Sequence, residues 1–177
     1  MKKLSRIAAS VLAIAALSTS ASAATANGTV NATVEVIAAL TLTELNPLDF
    51  GQIVAGDTTA VTVAAPAACD LATATTAGLG SLQITNASAA QAVTVDTTFP
   101  ANLTDGTNNI PFGTGTATYC DADAGTLTDV TAAASAATLV ADAGGNENII
   151  YVGGTLSPAG TEPVGIYANT VDITITY

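Results

Sequence analysis

Residues 27–44 read NGTVNATVEVIAALTLTE, and apolar residues recur at every second position of this stretch. The even positions from 30 to 42 are all Val, Ala or Leu, whereas the odd positions between them are mostly polar or small. This alternation is typical of a β-strand with one buried face, because successive side chains of a strand point to opposite sides. The pattern is about twice the length of an ordinary strand of about 5–6 residues. It raises the question of which sheet so long a strand completes.

The rest of the chain carries the same kind of signal. Further strand-like segments are rich in Val, Ile and Thr, and clusters of Gly, Pro, Asn and Asp separate them. The segments are LDFGQIV (48–54), TAVTVAA (59–65), SLQIT (81–85), AVTVDTT (92–98), ATYC (117–120), NIIYVGGTL (148–156) and VDITITY (171–177). Residues 129–142 are ambiguous, since their alanines favour a helix and their Thr and Val residues favour a strand or loop. The spacing predicts an all-β, antiparallel sandwich or barrel in a single domain.

The first 23 residues have the three parts of a secretory signal peptide. A basic start, MKKLSR (1–6), precedes an apolar core, IAASVLAIAAL (7–17), and the small residues STSASA (18–23). This order predicts cleavage between Ala23 and Ala24. No later segment is apolar enough over about 20 residues to span a membrane as a helix. We therefore expect an exported protein that passes through the periplasm and then lies at the cell surface or outside the cell.

The charge of the exported chain excludes several classes of function. Lys2, Lys3 and Arg6 are the only basic residues, and all 14 Asp and Glu follow residue 23, so the mature side chains carry −14. Such a surface repels nucleic acid. His is absent from the sequence, and with it the commonest general base. The composition therefore predicts no nucleic-acid partner, no enzymatic activity and no cofactor.

Cys69 and Cys120 are the only two cysteines. In an exported protein, two cysteines most simply form one disulfide bond. The alternative is a pair of free or metal-bound thiols, but zinc would then need carboxylate ligands, since the chain has no His. We predict a structural disulfide.

The acidic stretch after Cys120 has some features of a calcium-binding loop. It reads DADAGTLTD and places Asp121 and Asp123 two residues apart before Gly125, with Asp129 following. Alternate carboxylates and a Gly at the turn are also found in the first half of a calcium loop. The later acceptor and the bidentate Glu of that loop are missing here. We favour a solvated acidic turn and keep these three aspartates as weak metal-binding candidates.

The C-terminal residues resemble those of a known family. Residues 167–177 alternate, with Val171, Ile173, Ile175 and Tyr177 on one predicted face. This ending, in YVGGTLSPAGTEPVGIYANTVDITITY (151–177), and the stretch LDFGQIVAG (48–56) resemble an uncharacterised family of bacterial secreted β-domains. That family is similar to spore-coat-U-type proteins and to the major subunits of archaic chaperone–usher pili.

The resemblance implies a fold and a mode of assembly. The fold is an immunoglobulin-like, pilin-type β-sandwich that lacks one edge strand. A periplasmic chaperone fills the gap first, on the way to an outer-membrane usher, and the N-terminal extension of the next subunit fills it in a homopolymeric fibre. Residues 1–23 are then the signal peptide, residues 24–36 a candidate donor strand and residues 37–177 the sandwich.

Two sets of residues follow from this reading. Val30, Ala32, Val34 and Val36 would enter the groove of a neighbouring subunit, with about 28–36 donated and about 37–43 kept as the subunit's own first strand. The candidate acceptor groove and C-terminal strand comprise Gly165, Tyr167, Val171, Ile173, Ile175 and Tyr177. The predicted function is a structural subunit of a pilus or fimbria that supports adhesion or biofilm. The alternative is a self-contained secreted or surface β-sandwich that does not polymerise and could bind calcium.

Overall fold

The computed structural model of the chain describes residues 33–34, 39–69, 78–141 and 148–177. The chain divides into two compact units, Met1–Glu35 and Val36–Tyr177. In the first unit the described residues are Thr33 and Val34, and both side chains are exposed. The fold described below is that of the second unit.

All the regular elements of the described residues are β-strands. The strands are β1 (Thr41–Asn46), β2 (Val61–Val63), β3 (Gly80–Thr85), β4 (Gln91–Thr98), β5 (Asn102–Thr104), β6 (Asn109–Asp121), β7 (Thr126–Asp129), β8 (Ser135–Leu139), β9 (Asn148–Leu156) and β10 (Asp172–Thr176). The ambiguous stretch 129–142 contains the end of β7, a turn and then β8, so in its described part it forms a strand and not a helix.

The larger sheet has β9 and β6 at its centre. Its order is β1-β3-β9-β6-β5, with β2 pairing on β9 and β7 on β6. Strand β2 pairs with residues 154–156 of β9 and β3 with residues 148–152, so these two short strands lie end to end along β9. All pairs in this sheet are antiparallel.

A second sheet packs over the first. Its order is β10-β4-β8, again antiparallel. Inward-facing side chains from both sheets form the main core, whose buried members include Ile84, Val93, Val95, Ala117, Tyr119, Val130, Leu139, Ile150 and Val152. The fold is therefore an antiparallel, immunoglobulin-like β-sandwich, as the sequence predicts.

The disulfide bond between Cys69 and Cys120 is confirmed. The two Cα atoms lie 5.4 Å apart, and the bond joins the segment after β2 to the end of β6. Cys120 is fully buried beside Ile149 and Tyr151 of β9, in a second core cluster. The disulfide thus closes the outer face of the larger sheet.

A buried polar network joins the two sheets beside β8. Asn148 is fully buried, and its Oδ1 accepts hydrogen bonds from the Tyr119 hydroxyl (2.7 Å) and the Val140 amide (2.9 Å). Its Nδ2 donates to the Val140 carbonyl (3.0 Å), while the Tyr119 hydroxyl also lies 3.1 Å from the Thr138 carbonyl. Side chains of the larger sheet therefore satisfy backbone groups at the end of β8, one of the two edge strands of the smaller sheet.

Candidate functional site

Strand β10 is the other edge strand of the smaller sheet. Strand β10 pairs with β4 along one edge, and no strand of the described residues pairs with its other edge. In an immunoglobulin domain, one sheet has the order A-B-E-D and the other contains C, F and G. Here β1-β3-β9-β6 matches A-B-E-D, and β10 and β4 take the places of F and C. Within the described part of the chain, the place of strand G beside β10 has no occupant.

The two outer strands of the smaller sheet differ in how well they bury their inward side chains. On β8, Ala137 and Leu139 are buried. On β10, Ile173 and Ile175 are only partly buried, although they pack against the same core. The inward side chains of β10 are therefore less completely covered than those of β8.

Six partly accessible apolar side chains of the two sheets and their flanking residues pack against the main core, and Leu48, Leu82 and Val171 among them line one cleft. The six are Leu40, Leu48 and Leu82 from the larger sheet and its flanking residues, and Val171, Ile173 and Ile175 from β10 and the residue before it. We call these six residues the edge groove. An apolar groove bordered by an unpaired strand is the surface to which an added strand binds.

A cleft of about 300 Å³ deepens the edge groove near the start of β10. Its lining includes Leu48, Leu82 and Val171 of the groove together with Gly80 and Val152. A Cβ atom at Gly80 would stand 3.0 Å from the Leu48 Cβ and 3.2 Å from the Val152 Cβ. Glycine at position 80 therefore allows Leu48 to approach the sheet closely, and this contact shapes the floor of the cleft.

The surroundings of the edge groove carry negative charge. Glu44 lines the cleft, and the exposed Asp172 lies on the solvent side of β10. The described residues contain no Lys, Arg or His, so these carboxylates have no cationic partner among them. The groove therefore combines an apolar floor with an acidic rim.

The predicted acceptor residues separate into two places. Val171, Ile173 and Ile175 lie in the edge groove, and Tyr177, 55% exposed, follows the end of β10. Gly165 and Tyr167 lie in the preceding loop, outside the groove and its cleft.

Strand β10 begins later than the predicted strand 167–177 because the chain is still paired with the larger sheet at Ala168. The Ala168 amide donates to the Thr104 carbonyl (2.9 Å), and the Thr104 amide donates back to the Ala168 carbonyl (3.1 Å). The Tyr167 hydroxyl donates to the Pro163 carbonyl (2.9 Å) and holds the loop. The chain crosses to the smaller sheet only after these contacts.

The predicted donor residues fall mostly outside the described part of the chain. Val30, Ala32 and Val36 are not among the described residues. Val34 is described and is 88% exposed.

The weak metal-binding candidates act as turn-forming carboxylates. Asp121 Oδ1 accepts a hydrogen bond from the Ala124 amide (3.0 Å), and Asp129 Oδ1 accepts one from the Thr131 amide (2.8 Å). Hydrogen bonds from the side chain and backbone of Thr131 lower the pKa of Asp129. Asp123 is exposed in the same turn. Among the residues that the structure describes, no three acidic or sulfur side chains converge to hold a metal ion.

Sequence reasoning missed one half of the edge groove. Leu40, Leu48 and Leu82 come from the larger sheet and its flanking residues, and no periodic pattern connects them to the C-terminal strand. The close approach of Gly80 to Leu48 requires the fold to be known. A glycine at the start of a β-strand was the available signal, since such a glycine often marks close backbone contact.

Comparison with known proteins assigns the chain to a family. Residues 40–177 match the model of a domain of unknown function (DUF4402), and the chain belongs to this family. No curated protein and no solved structure matches the chain. The match begins just before β1 and includes every strand of the sandwich.

Proposed function

We propose that this protein is a structural subunit of a bacterial surface fibre that assembles by donor-strand complementation and supports adhesion or biofilm. In this proposal, residues 28–36 of one copy occupy the edge groove of the next copy. The observation that carries the proposal is the outer edge of β10, with which no strand of the described residues pairs, together with the partly accessible apolar side chains of the edge groove.

The alternating pattern of residues 28–36 is suited to a strand that occupies the edge groove. Val30, Ala32, Val34 and Val36 lie on one predicted face, and Thr33 lies on the other. An added strand gains affinity from backbone hydrogen bonds and specificity from alternate side chains that enter pockets. The high exposure of Val34 is consistent with a side chain whose partner is another molecule.

The unpaired edge of β10 in the described part of the chain is also a reason to propose partners that cover it temporarily. An unpaired apolar edge promotes aggregation, so a subunit in transit benefits from temporary cover. We propose a periplasmic chaperone for that role and an outer-membrane usher for secretion, as in the archaic pili that the C-terminal residues resemble.

Within the described residues, no helix meets the length and apolarity that a membrane crossing requires.

A peptide-addition experiment tests the proposal. A chain that lacks residues 24–36 should remain folded and monomeric, and a synthetic peptide of residues 27–37 should bind it. Binding to the native state alone raises the thermal midpoint, and the rise grows with the logarithm of the peptide concentration once that concentration exceeds the Kd.

Two matched peptides serve as controls. Val34→Asp places a charge on the face that enters the groove, and this peptide should fail to stabilise the chain, because burying an unpaired charge is strongly unfavourable. Glu35→Thr changes the opposite face and should stabilise as well as the native peptide. An unfolded deletion variant, or stabilisation that is equal for all three peptides, would instead favour a self-contained secreted β-sandwich.

A further inference from the structure

A second surface of the sandwich carries exposed aliphatic side chains. Val54, Val164 and Ile166 are 75%, 93% and 88% exposed. All three line one cleft of about 510 Å³, formed by the loop after β1 and the loop between β9 and β10. This cleft shares only Phe50 with the cleft of the edge groove, so the two surfaces are distinct.

The grouping of these side chains is unusual for the described part of the chain. Large exposed hydrophobic residues occur there at only two other positions, Val34 and Tyr177. Single exposed aliphatic residues are normal on protein surfaces, whereas a patch with a polar rim is typical of an interaction site. Three such residues at the mouth of one cleft therefore indicate a surface that another molecule covers.

Short hydrogen bonds hold both loops in place. In the first loop the Asp57 amide donates to the Val54 carbonyl (3.0 Å), and Asp57 Oδ1 accepts from the Thr59 amide (2.8 Å). In the second, Glu162 Oε1 accepts from the Ala159 amide (2.6 Å). The surface is thus formed before a partner arrives, which reduces the entropy lost on binding.

The rim of this cleft is acidic. Asp49, Asp57 and Glu162 line it, and Asp105 lies near Tyr167. Desolvation and the nearby charges of Asp105 and Glu162 raise the pKa of Tyr167, as expected where negative charge gathers. A partner that covers the aliphatic side chains brings these carboxylates out of water, and positive charge on the partner offsets that cost.

We propose that this surface, the acidic pole (Val54, Asp57, Glu162, Val164 and Ile166), docks a basic polypeptide segment that carries aliphatic side chains. A second copy of this chain is a poor occupant of this surface, because its residues 24–177 contain no Lys or Arg that could offset the acidic rim. A metal ion alone would leave the aliphatic side chains uncovered. The partner is therefore a different protein whose exposed segment alternates or mixes Lys or Arg with apolar residues.

A binding assay with designed peptides tests this proposal on the chain from residue 24 to residue 177. The probe is a labelled ten-residue peptide of alternating Leu and Lys, compared with one of alternating Ser and Lys, at low salt. The Leu–Lys peptide should bind at least tenfold more tightly, since both charge and apolar burial contribute. Val164→Ser with Ile166→Ser should weaken its binding at least tenfold, and Asp57→Asn with Glu162→Gln at least fivefold. The latter pair keeps the oxygen atoms that accept the loop hydrogen bonds.

The matched control is Asp123→Asn with Asp129→Asn, which removes the same charge from a turn elsewhere on the sandwich. This control should change binding less than twofold, and thermal melts should show all variants folded. Absence of binding to the unmodified chain overturns the proposal. The proposal also fails if either acidic-pole variant binds as well as the control. It fails too if the Ser–Lys peptide binds as tightly as the Leu–Lys peptide, because attraction would then be purely electrostatic.

Discussion

At the scale of single residues, Asn148 is a fully buried polar side chain whose hydrogen bonds link β9 to the end of β8. It lies on β9, and its amide pairs with both backbone groups of Val140 and with the Tyr119 hydroxyl. A buried polar group that loses its partner destabilises the fold by about 1–3 kcal/mol, whereas a hydrogen bond that is made stabilises it by about 0.5–1.5 kcal/mol. Asn148 therefore contributes to how firmly the end of β8 is held to β9.

Replacing Asn148 should destabilise the fold without altering the edge groove. Asn148→Leu leaves the Val140 amide and the Val140 carbonyl without their partner, whereas the Tyr119 hydroxyl keeps the Thr138 carbonyl, so we expect a loss of about 2–3 kcal/mol or more. Tyr119→Phe should lower the free energy of unfolding by about 1 kcal/mol, because each hydrogen-bond partner of the Tyr119 hydroxyl loses one hydrogen bond. Urea unfolding measures both values. Asn109→Leu, at an exposed position, is the control, and an Asn148→Leu variant as stable as this control would contradict the account.

Asp105 should contribute to the pH dependence of stability. Hydrogen bonds from the backbone and side chain of Asn108 and from the Thr107 amide lower the pKa of Asp105 in the folded chain. Because the folded pKa is below the unfolded value of about 3.9, this contribution is present above about pH 4 and is lost as the pH falls through the folded pKa.

Thermal melts from pH 7 to pH 2 test this contribution. Asp105→Asn should lower the midpoint at pH 7 and should reduce the loss on acidification relative to the unmodified chain. Asp123→Asn, in an exposed turn, should leave the profile almost unchanged. Identical acid profiles for Asp105→Asn and the unmodified chain would refute a role for this carboxylate.

At the scale of elements, the local sequence pattern was sufficient to locate a strand where its apolar and polar residues alternate or where its residues are continuously apolar. The predicted segment 148–156 coincides with β9, and SLQIT and AVTVDTT correspond to β3 and β4 within one residue. The predicted strand 48–54 does not form, because Asp49 Oδ1 accepts from the Gly51 amide and Gly51 has a φ of 74°. A side chain that competes for a nearby amide favours a turn over a strand.

Long-range contacts explain the parts of the fold that local pattern missed. Strand β6 runs for 13 residues through Pro111 and two glycines, a composition that reads as a turn. The ring of Phe99 covers Gly115, and the ring of Phe112 covers Gly154 on the neighbouring strand. A glycine in a strand permits such an approach, but sequence alone does not identify the ring that makes it. The larger-sheet half of the edge groove was unpredictable for the same reason.

The disulfide should contribute strongly to the stability of the larger sheet. The bond joins residues 51 positions apart, and in the chain-entropy model a loop of about that length corresponds to about 4 kcal/mol. Cys69→Ser with Cys120→Ser should lower the free energy of unfolding by an amount of that order. Urea unfolding beside protease digestion measures the loss, and the reduced, unmodified chain is the control. A double variant as stable as the oxidised chain would contradict this role.

At the scale of the whole molecule, two features describe how the chain meets other molecules. Among the residues that the structure describes, no strand pairs with the outer edge of β10, and the apolar side chains of this strand remain partly accessible. The net charge of −14 over residues 24–177 opposes close approach of identical subunits, so a fibre needs a contact strong enough to overcome that repulsion. Insertion of a complete strand, with its backbone hydrogen bonds and buried valines, is a contact of this kind.

Polymerisation of a Val34→Asp variant of the chain from residue 24 to residue 177 is the most direct test of the proposed strand exchange. Val34 is 88% exposed, so this change should leave the thermal midpoint of the subunit almost unaltered. In a fibre, however, the aspartate would replace a buried valine worth about 1.5–3 kcal/mol and would add the larger cost of burying a charge. We predict folded, disulfide-bonded monomers that form no filaments by electron microscopy, while Glu35→Thr assembles normally. Filaments of normal length from Val34→Asp, or an unfolded monomer, would contradict the account.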